Sequence, residues 1–192
     1  KSENKLSLKV DNSDFNLLCL PTDNFPTFPD QFSEDEVKID NKKFLRLLNK
    51  TRISISNDDT RHYLNGVYLH VTEAEGRNFL TGVATDSHRL SSSSLEIQEN
   101  LQFSSLILPR KTVFQLCSLL SDTAETLSIQ TSENKIKFLI GNIKLVSKVI
   151  DGKFPDYKKV VPTKNDKQLI VSAKDFISSI ERVASVSLDR KE

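Results

Sequence analysis

Asp86, Ser87 and His88 are consecutive residues whose side chains act together in many hydrolases as acid, nucleophile and base. That chemistry needs three groups that converge from separate backbone positions, so that the base reaches the nucleophile and the acid orients the base. Neighbours in one short segment do not converge in this way, and the sequence has no Gly-x-Ser-x-Gly elbow. Residues 85–89 are therefore predicted to form a polar turn between two strands rather than a hydrolase site.

Metal and nucleotide chemistry find no support in the sequence either. The three histidines show no HxxxH or HExxH spacing, and Cys19 and Cys117 lie far apart. Only five glycines occur, and none belongs to a GxGxxG or Walker loop. The acidic residues are scattered, whereas polymerases and nucleases cluster them to hold two metals. We therefore expect no catalytic residues, no metal and no cofactor.

Basic residues form the next candidate pattern. Lys42, Arg46 and Lys50 recur every fourth residue and share one face of a predicted helix. Such a stripe is most often a solvated surface. The net charge is only +1, which argues against a strongly basic nucleic-acid binder. The charge is unevenly distributed, however, because an acidic stretch over residues 30–36 directly precedes the basic run.

The composition is that of a globular protein, since 37% of the 192 residues are hydrophobic and 28% are charged. No apolar run approaches the roughly 20 residues that cross a bilayer, and no secretory signal opens the chain. The isolated cysteines favour a reducing compartment, so we expect a cytoplasmic protein. Because the sequence lacks methionine, we also expect a piece of a larger protein.

A short alternating strand followed by an amphipathic helix is predicted twice. The two copies cover residues 37–48 and 169–180, at an offset of 132 positions. A second pair of similar segments, residues 23–28 and 151–157, is offset by 129 positions. Two patterns in the same order at nearly the same offset predict that like-folded domains repeat along the chain.

Short β-rich segments dominate the chain, and two helices are predicted in its centre, over residues 42–50 and 111–120. Strands are predicted over residues 6–10, 15–20, 67–71, 80–84, 89–93, 105–108, 127–130, 135–140 and 143–149. Few helices on mostly antiparallel sheets predict an α+β fold with the helices on one face.

Four motifs then occur in a fixed order. They are Arg-His-Tyr-Leu-Asn-Gly at 61–66, Ala-Thr-Asp-Ser-His-Arg-Leu at 84–90, Pro-Arg-Lys at 109–111 and Asp-Gly-Lys-Phe-Pro-Asp-Tyr at 151–157. In this order and spacing they resemble the middle domain of the bacterial DNA sliding clamp, the β subunit of DNA polymerase III. The resemblance runs through essentially all 192 residues. It implies the DNA-clamp fold, with antiparallel sheets and two helices per domain on the channel-facing side.

The family builds each protomer from three like-folded domains and closes two protomers into a ring. The resemblance therefore implies a processivity factor that encircles double-stranded DNA without reading its sequence. The implied partners are the polymerase catalytic subunit, the clamp loader and other proteins with short clamp-binding peptides, and no membrane. Nucleotidyltransferase activity would belong to the partner subunit. An ordinary DNA-binding module is the alternative, and it would hold linear and circular DNA alike.

The resemblance also assigns DNA contacts to basic and aromatic residues. Tyr63 suits stacking on bases, although a tyrosine at a strand edge is as often structural. His62 departs from the family's common aromatic residue. The implied DNA-contacting set is Lys42, Arg46, Lys50, Arg61, His62, Tyr63, Arg110 and Lys111.

A second implied set builds the pocket for partner peptides, which needs apolar walls and a few polar groups that orient an extended backbone. Ser87 stands where the family commonly has glycine, and Lys159 replaces the more usual arginine. The set is Leu64, Thr85, Ser87, His88, Arg89, Leu90, Pro155, Lys159 and Val160.

The repeat and the resemblance together divide the chain into four parts. We expect the tail of clamp domain 1 at 1–33, a complete domain 2 at 34–153, a linker at 154–167 and the start of domain 3 at 168–192. Since ring closure in the family pairs domain 1 of one protomer with domain 3 of the other, the full-length protein is expected to be a homodimer and this chain a monomer.

Overall fold

The computed structural model describes residues 4–25, 32, 36–97, 103–121 and 126–186. The chain divides into two units, Lys1–Phe154 and Pro155–Glu192. The expected boundary at 33/34 and most of the acidic stretch over 30–36 lie outside the described residues.

The first unit contains ten strands and two α-helices among its described residues, in the following order. The elements are β1 (Lys5–Val10), β2 (Ser13–Leu18), β3 (Val37–Ile39), α1 (Asn41–Thr51), β4 (Gly66–Ala74), β5 (Arg77–Thr85), β6 (Leu90–Glu96), β7 (Leu106–Pro109), α2 (Arg110–Ser121), β8 (Leu127–Thr131), β9 (Lys135–Ile140) and β10 (Ile143–Lys148). Strands β1 and β2 form an antiparallel hairpin. The predicted helices and strands of this unit are confirmed, with ends shifted by a few residues.

Strands β3 to β10 form two antiparallel sheets that exchange strands. Sheet I has the order β10-β9-β8-β3, and sheet II has the order β6-β5-β4-β7. The chain follows a strand, a helix and three strands twice, from β3 to β6 and again from β7 to β10. The first strand of each half pairs in the sheet of the other half, β3 with β8 and β7 with β4. This exchange interlocks the two halves of the unit.

Helix α1 forms because a capping residue precedes an amphipathic pattern. The Asp40 carboxylate accepts a hydrogen bond from the Lys43 backbone N–H at 2.8 Å, which satisfies one free donor of the first turn. Phe44, Leu47 and Leu48 are buried on the inner face. The Phe44 ring lies 6.3 Å from the Phe138 ring of β9, centroid to centroid. Helix α1 thereby joins a core that draws on both sheets and both helices.

Helices α1 and α2 run antiparallel and pack against each other. At one end, the Asn41 side chain donates a hydrogen bond to the Leu120 carbonyl oxygen at 3.3 Å. At the other end, the Arg52 guanidinium lies over the Phe114 ring. Both helices also contact sheet II, and this agrees with the prediction of helices on one face.

The second unit contains a 3-10 turn at Tyr157–Lys159 and helix α3 at Ala173–Ala184, which begins after the Ser172 N-cap. The strand predicted in the second copy of the repeat was wrong, because residues 169–171 adopt no regular structure. In the first copy, β3 is held by hydrogen bonds to β8. No described segment pairs with residues 169–171, and a strand does not persist without a partner.

Candidate nucleic-acid and peptide interfaces

The predicted basic face of α1 is exposed. Lys42, Arg46 and Lys50 all reach solvent, on the side of the helix opposite its buried residues. Arg110 and Lys111 begin α2 and are exposed as well. Because the two helices pack side by side, these cations belong to one helical surface.

These cations differ from the arginines elsewhere in the first unit in having no acidic partner. Arg61 pairs with Asp58, Arg89 with Asp86, and Arg77 with two glutamates. Among the described residues, no carboxylate pairs with any cation of the helical surface. We define the unpaired set as Lys42, Arg46, Lys50, Arg52, Arg110 and Lys111. Such a surface attracts an anionic partner, because its charge is not neutralised from within.

Asp58 organises the segment that carries the first motif. Its carboxylate accepts hydrogen bonds from the Thr60 hydroxyl at 2.6 Å and the Thr60 N–H at 2.9 Å, and from Arg61 Nε at 2.8 Å. These bonds lower the pKa of the Asp58 carboxyl to about 2. The hydrogen bond from the Thr60 hydroxyl has the largest effect, and the hydrogen bond from Arg61 has the next largest. The segment Asp59–Leu64 forms two short 3-10 turns that meet at a kink at Arg61.

Arg61 connects this segment to the turn of the second motif. Its Nη1 atom donates a hydrogen bond to Ser87 Oγ at 2.6 Å while its Nε atom remains paired with Asp58. The Arg61 guanidinium is therefore already hydrogen-bonded to two groups, the Asp58 carboxylate and the Ser87 hydroxyl. His62 is exposed and Tyr63 is half-buried, with their rings edge to face at 5.9 Å.

Side-chain hydrogen bonds fix the turn between β5 and β6. The Thr85 hydroxyl donates to the Arg89 carbonyl oxygen at 2.8 Å and accepts from the Ser87 N–H at 3.1 Å. The Asp86 carboxylate accepts from the backbone N–H groups of His88 and Arg89, both at 3.0 Å, and also from Arg89 Nε. The hydrogen bond from the Arg89 N–H is the main cause that lowers the pKa of Asp86. Asp86 therefore holds the turn together, and its carboxylate bonds to the His88 backbone rather than orienting a catalytic base.

Ser87 has a φ of 78°, which is unusual for a residue other than glycine. Ser87, His88 and Arg89 are all exposed, whereas Thr85 is half-buried. Three polar members of the predicted pocket are therefore exposed together on one turn. Leu90 is half-buried beside them, whereas Leu64 is only 3% exposed.

An aromatic stack that the sequence analysis missed covers the outer face of sheet II. Tyr68 lies parallel to Phe154 at 4.9 Å and stacks on His70 at 4.6 Å, measured between ring centroids. Val83 and Ile107 pair with Tyr68 from the neighbouring strands and are buried. Residues 150–154 thus run along this face, and the Phe154 ring stacks on Tyr68 there. The one available signal was the phenylalanine of the fourth motif.

Three members of the predicted pocket belong to the second unit. Pro155, Lys159 and Val160 are all exposed there, and Lys159 Nζ lies 3.2 Å from an Asp156 carboxylate oxygen. Within the described ranges, no three His, Cys, Asp or Glu side chains are grouped so as to hold a metal ion. None of the described helices is long and apolar enough to span a membrane.

Residues 38–156 match the family described as "DNA polymerase III beta subunit, central domain". The chain is 37% identical over 187 residues to the beta sliding clamp of Caulobacter vibrioides, and 34% identical over 186 residues to that of Escherichia coli K12. Both alignments cover 97% of this chain and 50% of the relative. The chain thus spans about half the length of these relatives.

Solved structures agree with the sequence comparisons. The C. crescentus beta sliding clamp superposes with a TM-score of 0.93 at 37% identity, over 99% of this chain and 51% of that one. A Bartonella birtlesii sliding clamp bound to griselimycin gives a TM-score of 0.91 at 38% identity, over 98% and 51% of the two chains. The chain therefore belongs to the DNA polymerase III beta subunit family, the bacterial sliding clamps, and has their α+β fold.

Proposed function

We propose that the protein is a sliding clamp, which encircles duplex DNA as a ring and tethers the replicative polymerase. The family match over residues 38–156 supports the ring, and contact with DNA is supported by the surface of six cations without described acidic partners on α1, α2 and the turn after α1. Lys42, Arg46, Lys50, Arg110 and Lys111 would contact phosphates weakly and without reading the sequence. Weak contacts suit a ring, because the topological link holds the protein on DNA while each contact breaks and forms again.

The three residues at 61–63 have different roles in this proposal. His62 is exposed and Tyr63 is half-buried, so both remain candidates for stacking on DNA. Arg61 was expected to contact DNA too, but Asp58 and Ser87 engage its guanidinium. We infer that Arg61 mainly positions the neighbouring turn.

The rigid turn at 85–90 is proposed as one wall of a pocket for short partner peptides. Thr85, Ser87, His88 and Arg89 supply polar groups, and Leu90 supplies apolar surface. Leu64 would support the wall from beneath, since it is buried. Pro155, Lys159 and Val160 were expected in the same set from the resemblance, and they belong to the second unit. The partners would be the polymerase catalytic subunit, the clamp loader and other proteins that carry such peptides.

The remaining parts of the proposal concern the whole protein. We infer a non-catalytic, cytoplasmic processivity subunit that is a homodimer at full length. The division into the end of domain 1 at 1–33, domain 2 at 34–153, a linker at 154–167 and the start of domain 3 at 168–192 is part of the same proposal. The central family match over 38–156 supports its second part.

The test is DNA synthesis on a primed single-stranded circle with the replicative polymerase, the clamp loader and ATP. We expect the complete natural protein to lengthen the products of a single binding event, and to do so only when the loader is present. A variant with Lys42, Arg46 and Lys50 changed to glutamine should give shorter products. Products of unchanged length with and without the protein would refute the proposed function.

A further inference from the structure

Arg52 directly follows α1 and lies against α2. Its guanidinium carbon is 5.3 Å from the centroid of the Phe114 ring, and that of Arg110 is 5.5 Å from the same centroid. Phe114 is 43% exposed, so one aromatic ring at the protein surface contacts two guanidinium groups. The attraction of each cation to the ring favours placing both charges beside it.

Arg52 also lies near Cys117 of α2. Burial raises the pKa of the Cys117 thiol, while the positive charge of Arg52 partly opposes that shift. Neither Arg52 nor Arg110 has a carboxylate partner in the described part of the chain.

Arg77 shows that a guanidinium over a phenylalanine ring does not by itself imply an anion site. Its guanidinium carbon is 5.8 Å from the Phe79 ring centroid, a geometry close to that of Arg52. Glu75 and Glu96, however, lie 3.2 Å and 3.5 Å from its nitrogens and neutralise it. Arg52 and Arg110 have the same aromatic support but no such neutralisation.

The surface beside Arg110 suits an oxyanion. An open depression there is lined by Arg110, Lys111, Phe114 and Gln115. Each of these residues except Phe114 offers hydrogen-bond donors, and a planar guanidinium can present two N–H groups to the oxygens of a phosphate.

We propose that Arg52 and Arg110, positioned by Phe114, form a phosphate-binding pair for the backbone of duplex DNA where the end of α1 meets the start of α2. Arg52 and Phe114 were not among the residues expected to contact DNA. The inference rests on the proposed function insofar as the ligand is duplex DNA. Phe114 acts as a positioning residue, since it orders the arginines without binding the phosphate itself.

The first test compares Arg52→Gln with Arg77→Gln in the complete natural protein. Both variants remove one guanidinium that lies over a phenylalanine ring, so they change net charge and ring contacts alike. Binding to a labelled linear duplex is measured by fluorescence anisotropy at several salt concentrations. We expect the salt dependence, log K against log[salt], to become shallower by about one for Arg52→Gln and to stay unchanged for Arg77→Gln. Equal slopes for the two variants would overturn the proposal.

The second test changes the ring and keeps both charges. Phe114→Leu retains an apolar side chain but removes the aromatic face, so the arginines lose their positioning. We expect affinity for the same duplex to fall by about twofold to fivefold, with the slope unchanged. Wild-type affinity in this variant would contradict the positioning role of Phe114. Circular dichroism spectra should confirm that each variant is folded.

Failure of this inference can be told apart from failure of the proposed function. The slope comparison uses linear DNA and does not depend on a closed ring. A protein that makes synthesis processive, yet shows no slope change in Arg52→Gln, would refute only the phosphate pair. A wild-type protein whose duplex binding does not depend on salt would refute phosphate contact by the whole helical surface, and the pair with it.

Discussion

At the scale of single residues, Ser87 of the proposed peptide pocket combines an unfavourable backbone conformation with a hydrogen bond from its hydroxyl group. Its left-handed backbone conformation would suit glycine, yet its hydroxyl accepts the hydrogen bond from Arg61. The side chain therefore contributes a link between two motifs at the cost of a less favourable backbone conformation.

This balance predicts different outcomes for two substitutions of Ser87. Ser87→Ala loses the hydrogen bond and keeps the unfavourable φ, so it should lower the free energy of unfolding by about 1 kcal/mol. Ser87→Gly loses the same bond but relieves the strain, so it should be more stable than the alanine variant. Urea denaturation of the two variants measures the difference. An alanine variant as stable as wild type would show that the link contributes nothing.

Asp58 provides a pH-dependent prediction. The pKa of its carboxyl is lowered from 3.8 to about 2 in the folded protein, and the hydrogen bond from the Thr60 hydroxyl is the largest cause. A lowered folded pKa means that the carboxylate contributes stability above pH 3.8, and that this contribution is lost as the pH falls through about 2. An NMR titration should give that pKa for wild type and for Thr60→Ser, and a higher one for Thr60→Val. An unchanged pKa in Thr60→Val would contradict the hydrogen-bond explanation.

Residue-level predictions from the sequence succeeded where they depended on local spacing. The exposure of Lys42, Arg46 and Lys50 followed from their shared helical face. The link from Arg61 to Ser87 joins residues 26 positions apart, and the stack of Tyr68 on Phe154 joins different parts of the fold. No local pattern encodes such contacts, because they depend on how the sheet and its connections pack.

At the scale of elements, the position of α1 depends on a close approach to sheet II. Gly82 of β5 leaves room for Leu47, since an added Cβ would lie 2.6 Å from Leu47 Cδ2. That distance is too short for two carbon atoms, so a larger residue would force the buried Leu47 side chain to move.

Gly82→Ala should therefore lower the free energy of unfolding by about 1–3 kcal/mol, because the core is overpacked. Combining it with Leu47→Ala creates the missing space, so the double variant should lose less stability than the sum of the single variants. Chemical denaturation of the three variants measures this coupling. Strict additivity would show that Gly82 and Leu47 do not meet as described.

Alternation and helical periodicity located the strands and helices of the first unit, because both patterns arise within a single element. The exchange of β3 and β7 between the two sheets could not be predicted in this way, since strand pairing is a long-range property. The wrong strand at 169–171 has the same cause. Its alternating pattern matched that of β3, but only β3 has a described partner.

At the scale of the whole molecule, the chain spans about half the length of its relatives, and a ring would require the rest. The sequence identified the family because four motifs kept their order and spacing, and the fold agrees at a TM-score of 0.93. The mechanism is a separate matter, since the same cationic surface would serve either a ring around DNA or an ordinary surface binder.

The most direct test of the ring is release from DNA on cutting. The complete natural protein is loaded onto a nicked circular plasmid by its clamp loader with ATP, and the circle is then linearised at one site. We predict that bound protein is retained on the circle and lost from the linear form, because a ring slides off a free end. Equal retention on both forms would show that the protein binds DNA directly, and would contradict the sliding-clamp mechanism.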